Sequence, residues 1–326
     1  MMDTLRNKHH LKLTVTASPH LVSELSTSRI MLFVSVALLP ALVASTYYFG
    51  LRVLTMTAVC IITCVVLEYV FNMILKRQQT VGDYSAVVTG MLIAFNLPSN
   101  FPYTMAIVGC FVAIVVMKQL FGGIGQNIVN PAIAARVVLL VSFPVEMTSW
   151  PVPSPLFQSG TQNVDAVTAA TPLTLWQQGE GLPSNMDLFL GNIGGSMAEV
   201  SALAILIGFI FLLYKRVVSP LIPMAFIGTV FLFAVLAGED PVFQILAGGV
   251  MLGACFMATD YVTSPTLPLG QLIFGVGCGL ITMAIRLFGN FPEGVSFAIL
   301  FMNLLTPQID AFCNTMIVRK YKRRGQ

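Results

Sequence analysis

The chain has 326 residues, of which 56% are hydrophobic and only 10% are charged. Soluble domains carry roughly 25% charged residues, so the composition predicts an all-α integral membrane protein and excludes a soluble multidomain enzyme. The net charge of +3 is small and the basic residues are scattered at loop ends, which gives nucleic-acid binding no support.

Residues 1–28 are polar and basic, with no apolar run ahead of Arg29. They read as a cytoplasmic N-terminal segment without a cleavable signal peptide. Apolar segments follow at 29–48, 53–75, 84–98, 102–121, 130–143, 197–214, 219–238, 242–258, 270–288 and 295–312. The chain thus predicts about ten transmembrane helices. A first membrane repeat covers 29–143, a polar loop 144–196, a second repeat 197–312 and a basic tail 313–326. The third and fifth segments are short and interrupted by Asn, Pro or Gly, and the eighth is laced with glycine. Short, broken segments at matching places in two halves point to discontinuous helices around an internal site.

The halves are alike in detail. Residues 118–140, KQLFGGIGQNIVNPAIAARVVLL, match 285–305, IRLFGNFPEGVSFAILFMNLL, and VVTGMLIAF (87–95) matches AGGVMLGAC (247–255). Five segments per half force the second half to run inverted, so the expectation is two inverted five-helix repeats. Lys and Arg distribution sets the orientation. Arg6, Lys8, Lys12, Arg29, Lys76, Arg77, Lys118, Lys215, Arg216 and the tail cations fall on one side if both termini are cytoplasmic; Arg52 and Arg286 are exceptions. No Lys or Arg occurs between Arg136 and Lys215, which places the 144–196 loop outside the cytoplasm.

Ionisable residues within the membrane are expensive and mark function or internal pairing. Glu68 lies late in the second segment, Asp83 opens the third, Asp260 closes the eighth, and Arg136 is a cation inside the short fifth. Each reads as an interfacial cap, an internal ion pair or part of an ion path, and Arg136 either meets a carboxylate or faces a cofactor. The six cysteines, Cys60, Cys64, Cys110, Cys255, Cys278 and Cys313, read as small packing residues, because no CxxC spacing occurs. No Rossmann or Walker pattern and no cysteine cluster is present, so the chain is not expected to bind NADH, ATP or an iron–sulfur centre itself and would need partners to receive and deliver electrons.

The polar loop contains DAVTAATPL, residues 165–173. Small alanines beside threonine let a modifying enzyme approach the backbone, and Pro172 is expected to limit local helix formation. On local sequence alone the stretch reads first as an ordinary solvated loop whose threonines cap turns. It resembles the flavinylation motif Asp-x-x-(Ser/Thr)-(Gly/Ala)-Ala-Thr of flavin-carrying redox membrane proteins, with Asp165, Thr168, Ala169, Ala170 and Thr171 in register. Ala169 stands where glycine is frequent. The resemblance implies that a dedicated FMN transferase moves FMN from FAD onto Thr171 as a phosphoester, with Asp165 a recognition residue.

Further stretches agree: GDYSAVVTGMLIAFNLP, GGIGQNIVNPAIAARV and ATDYVTSPTLPLGQ. With the motif they resemble the D subunits of Rnf electron-transport complexes, relatives of the B subunit of the sodium-translocating NADH:quinone reductase, over about residues 11–318. That resemblance implies an inner-membrane subunit that relays electrons between ferredoxin and NAD through covalent FMN. The other Rnf subunits are its partners in the bilayer, and Na⁺ or H⁺ moves through the whole complex. It also implies a second, non-covalent riboflavin-type flavin, with Asn127 and Asn130 as candidate contacts. Two rival readings stay open at this level: a channel or solute transporter built on the same broken helices, and a scaffold subunit without cofactor.

Overall fold

The computed structural model describes residues 26–153, 168–179, 181–289 and 293–324. Apolar residues dominate every long run, so the backbone satisfies its own hydrogen bonds in helices, as a bilayer demands. The first half holds α1 (Thr27–Phe49), α2 (Arg52–Ile74), α3 (Ser85–Phe95), α4 (Tyr103–Phe111, widening into a π-helical stretch Val112–Gln119) and α5 (Pro131–Ser142). The connecting layer holds α6 (Pro144–Met147), two short paired strands β1 (Trp150–Pro151) and β2 (Thr168–Ala169), α7 (Pro172–Gln178) and α8 (Asn185–Leu190). The second half holds α9 (Ala202–Tyr214), α10 (Leu221–Ala237), α11 (Pro241–Leu246), α12 (Val250–Leu252, continued as π-helix Gly253–Met257), α13 (Pro268–Phe288) and α14 (Val295–Arg324).

Among the described residues four helices are long and apolar enough to cross a membrane: α1, α2, α13 and α14 up to Arg319. Five apolar helices are shorter. At 1.5 Å per residue the 11 residues of α3 and 12 of α5 reach roughly 16–18 Å, about half of a ~30 Å hydrocarbon core. The eighth apolar segment is two pieces, α11 and α12, parted at Ala247–Gly249 where Gly248 has φ +64°. α14 continues through Arg324 into the stretch read as a separate basic tail, because between Leu305 and Arg324 the only helix breaker is Pro307, which α14 contains.

The packing pattern of the first half recurs in the second. α2 packs on α3 and α4, and α10 packs on α11 and α13; α4 packs on α5, and α13 on α14. Across the halves α1 meets α9 and α5 meets α14. The α1–α9 crossing is close because Gly208 faces Ala37, where any Cβ would overlap the Ala37 carbonyl oxygen.

The loop ends form two opposite layers. One is stitched by Arg52 NH2 to Asn100 O (3.0 Å), Met197 N to Leu97 O (3.0 Å), Trp176 Nε1 to Glu239 Oε2 (2.7 Å) and Asn185 Nδ2 to Asp240 Oδ2 (3.4 Å). The other is stitched by Arg77 NH1 to Gln119 O (3.0 Å), Asn130 Nδ2 to Met257 O (3.2 Å) and Thr306 Oγ1 to Thr263 O (2.9 Å).

Candidate functional site

Thr171 is the residue before α7. Its backbone is extended and its Oγ1 accepts a hydrogen bond from Thr174 N at 3.2 Å, making it the N-cap of that helix. Pro172 therefore starts a helix and does not prevent one: at the first helical position the missing N–H would have no intrahelical partner, and the fixed φ suits the turn. Oγ1 also shares a 2.7 Å hydrogen bond with Thr174 Oγ1. Thr171 is 5% exposed. Ala170 beside it is exposed. Thr168 lies in β2, paired with Pro151. Asp165 lies outside the described residues.

α7 is held down at several points. Leu173 is buried in a small apolar cluster with Leu188, Ile193, Val200, Phe243 and Ala247. Gln177 Nε2 donates to Gly289 O (3.3 Å) and, more weakly, to Arg286 O (3.4 Å). The result is a cleft of about 20 Å³ whose walls include Thr171, Gly194, Gly195, Glu199, Gly248 and Glu293. A Cβ at Gly248 would stand 2.7 Å from Leu173 Cδ1 and 3.2 Å from Arg286 NH2, so glycine there keeps the contact between α7 and the α11–α12 break possible.

Two carboxylates of this cleft are tied to one cation. Arg136 NH1 pairs with Glu199 Oε1 and also donates to Asn96 Oδ1 (2.6 Å), and Arg136 NH2 pairs with Glu293 Oε2 at 2.6 Å. Of the two sequence readings for Arg136, the structure shows the carboxylate partners. Burial pushes the Glu293 carboxyl above its ordinary range, and the Arg136 charge opposes that rise. The sequence reading missed both Glu199 and Glu293. A signal was present: each is a lone acid beside glycines at the mouth of an apolar segment, GGSMAE and FPEG.

Asn130 sits at the opposite layer. Its Oδ1 accepts from Ala132 N (3.0 Å), capping α5, while its Nδ2 reaches Met257 O at the end of α12. It lines a cavity of about 60 Å³ together with Val88, Leu92, Phe256, Thr259, Asp260 and Tyr261, among others. Burial raises the Asp260 carboxyl, and the hydrogen bond from Thr263 works against the rise. Asn127 is not in that lining; its Oδ1 is buried with no partner among the described residues.

A third polar cluster joins α2, α3 and the π-helical end of α4. Lys118 Nζ pairs with Glu68 Oε2 (2.8 Å) and donates to Ser85 Oγ (2.6 Å). Thr80 Oγ1 donates to Glu68 Oε1 (2.5 Å), and Ser85 donates through N and Oγ to Asp83 Oδ1. Glu68 and Asp83 are therefore two ends of one buried network. The six cysteines are buried and form no disulfide.

Residues 14–319 match the NQR2, RnfD, RnfE family. The chain belongs to this family. It is 49% identical over 324 residues to the D subunit of the Na(+)-translocating ferredoxin:NAD(+) oxidoreductase complex of Acetobacterium woodii, covering 98% of this chain and 99% of that one. It is 41% identical to the D subunit of the proton-translocating ferredoxin:NAD(+) oxidoreductase complex of Clostridium ljungdahlii, over 92% of this chain and 94% of the other. It is 38% identical to the D subunit of the ion-translocating oxidoreductase complex of Aliivibrio salmonicida, over 91% and 96%. The relatives' names differ in the ion moved, so family membership alone leaves the choice between Na⁺ and H⁺ open.

Proposed function

We propose that this chain is the D-type membrane subunit of an Rnf-type ion-translocating ferredoxin:NAD oxidoreductase complex, carrying FMN as a phosphoester on Thr171. The observation that carries the reading is the near-complete match to the D subunit from Acetobacterium woodii. The motif and the built cleft around Thr171 support the cofactor assignment. Bound FMN would supply one- and two-electron chemistry that side chains lack, leaving the protein to set distance, burial and electrostatics.

The residues present fit such a group. Gly194, Gly195 and Gly248 keep side chains out of the cleft next to the hydroxyl, and the two carboxylates that also line it, Glu199 and Glu293, are paired with Arg136. The cleft's volume, about 20 Å³, is on the scale of one water, so it suits the ester end and not the flavin ring. Because Oγ1 is buried and engaged, a transferase reaches it only with α7 lifted from the cleft. Trp176 and Gln177, with Leu173, set how firmly α7 is held.

The finer architecture follows the same reading. Counting α11 and α12 as one broken span, ten spans form two inverted five-helix repeats, supported by the recurring packing pattern and by the pairing of α1 with α9 and α5 with α14. The layer holding α7 faces outward and both termini lie inside, supported by the Lys and Arg distribution. Of the two asparagines, Asn130 is the better candidate contact for a second flavin, since it lines a cavity with Asp260, although at about 60 Å³ that cavity does not enclose a flavin ring.

The test is direct. The chain is co-expressed with an FMN transferase, denatured in SDS and viewed on a gel under ultraviolet light, with Thr171→Ala beside it. A fluorescent wild-type band and a dark variant are expected. A dark wild-type band, with the transferase active on a control, overturns the covalent relay and leaves only the family membership standing. Fluorescence retained in the variant moves the acceptor to Thr168 or another hydroxyl.

A further inference from the structure

Thr174 Oγ1 lies 2.7 Å from Thr171 Oγ1. Thr171 is the N-cap of α7 and Thr174 its third helical residue. In a capping box that third residue is Glu or Gln and reaches back to the backbone N–H of the cap. Here it is a threonine that meets the hydroxyl of the cap instead. Leu173, Trp176 and Gln177 tie α7 to the rest of the fold. Among the described residues the Thr174 hydroxyl has no hydrogen-bond partner other than Thr171. Nor is Thr174 part of the wall of the cleft that holds Glu199 and Glu293.

The direction of the bond between the two hydroxyls follows from burial. A hydroxyl has one proton and two lone pairs. One lone pair of Thr171 Oγ1 accepts from Thr174 N at 3.2 Å. If Thr174 Oγ1 donated to the other, both lone pairs would be taken. The proton of the buried Thr171 would then lack an acceptor among the described residues, at the full desolvation cost of an unmade bond. If Thr171 donates, its proton is satisfied, and the half-buried Thr174 turns its own proton to solvent. The second arrangement is favoured, and it leaves one lone pair of Thr171 Oγ1 free. Both residues belong to the first turn of α7, so the pair travels with that helix when it lifts to meet a transferase.

We propose that Thr174 is a positioning residue for flavin attachment: its hydroxyl draws the Thr171 proton to one side and leaves the free lone pair of Thr171 Oγ1 for phosphorus. This rests on the reading of Thr171 as the flavin acceptor. Attachment forms the Thr171 Oγ1–P bond and breaks the phosphoanhydride P–O bond of FAD, so FMN is transferred and AMP leaves. The Thr171 proton passes to a base of the transferase, since a threonine hydroxyl is too weak a base to keep it. No electron changes hands. The ester oxygen that results has no proton and can only accept, and the Thr174 hydroxyl turns round to donate to it.

The experiment times in-gel flavin fluorescence of the full-length chain supplied with transferase and FAD, for wild type, Thr174→Val and Thr174→Ser. Valine keeps the branched shape and the backbone N–H that Thr171 accepts, and removes the hydroxyl. With Thr174→Val, kcat should fall about two- to tenfold, the range that one neutral hydrogen bond supports. KM for the chain should stay unchanged, and Thr174→Ser should restore kcat. A purely structural role would move the thermal midpoint and KM and leave kcat alone; that result, or no rescue by serine, overturns the proposal. The same fall in kcat should separate Trp176→Phe from Trp176→Phe with Thr174→Val, where α7 is already loosened, and its absence there counts equally against it. Flavin retained on Thr171→Ala but lost when Thr174→Val is added would make Thr174 an acceptor and overturn its positioning role. A wild-type chain that takes no flavin defeats the acceptor reading and this proposal together. A flavinylated wild type with an unchanged Thr174→Val rate defeats this proposal alone.

Discussion

Replacing Arg136 with leucine removes the cation that both Glu199 and Glu293 pair with. Arg136 is 5% exposed and all three of its side-chain acceptors, Asn96, Glu199 and Glu293, lie in the same buried cluster. Breaking a buried pair by deleting one partner costs about 3–5 kcal/mol, or about two to three and a half decades in the unfolding equilibrium. Glu293→Gln should cost less, about 1–3 kcal/mol for a lost charged hydrogen bond, because Arg136 keeps Glu199 and Asn96. The leucine variant also acquires a pH dependence whose sign follows from Glu293. Burial already raises this carboxyl and Arg136 opposes the rise; without Arg136 the rise grows. An acid with a raised folded-state pKa stabilises the fold below its unfolded value and loses that contribution as pH climbs through the folded value. The penalty of Arg136→Leu should therefore be smaller at pH 5 than at pH 8. Reversible SDS unfolding from mixed micelles at both pH values measures it. A loss below about 1 kcal/mol at pH 8, set against the 3–5 expected, or one that does not change with pH, refutes the reasoning.

Lys118→Met should destabilise by about 3–5 kcal/mol because it strands Glu68, whereas the double variant with Glu68→Gln should lose less than Lys118→Met alone; strictly additive losses in the same assay count against a coupled pair. Gly208→Ala drives a methyl into the Ala37 carbonyl and should cost at least the 1–3 kcal/mol of ordinary overpacking, read as lowered yield and thermal midpoint. Asn130→Ala removes the α5 cap and the tie to Met257, for a loss of about 0.5–2 kcal/mol from the cap, measurable by the same unfolding titration. Trp176→Phe cuts the bond to Glu239 and loosens α7, so a transferase should flavinylate the folded, flavin-free variant faster than wild type in a timed in-gel assay; an unchanged rate would mean that α7 docking does not limit access.

The membrane class, the apolar segments and the motif register were legible in the sequence because each depends on local composition or spacing. A bilayer requires long apolar runs whatever their neighbours, and Asn130 followed by Pro131 specifies a helix start without any tertiary contact. Thr171 and Arg136 could be picked out as residues too, one by its motif and the other as a cation in an apolar run. Their surroundings could not. Glu199 and Glu293 are 63 and 157 residues from Arg136 along the chain, and nothing near either one names its partner. Nor does local sequence show that Lys118, on a π-helical turn, closes on Glu68 50 residues earlier. Burial of the Thr171 hydroxyl depends on α7 docking against Gly248, Glu239 and Gly289. Composition and periodicity therefore determined which segments are apolar and where helices start. Only the tertiary fold decided which buried charges meet, since a charge pair depends on distance through space and not on separation along the chain.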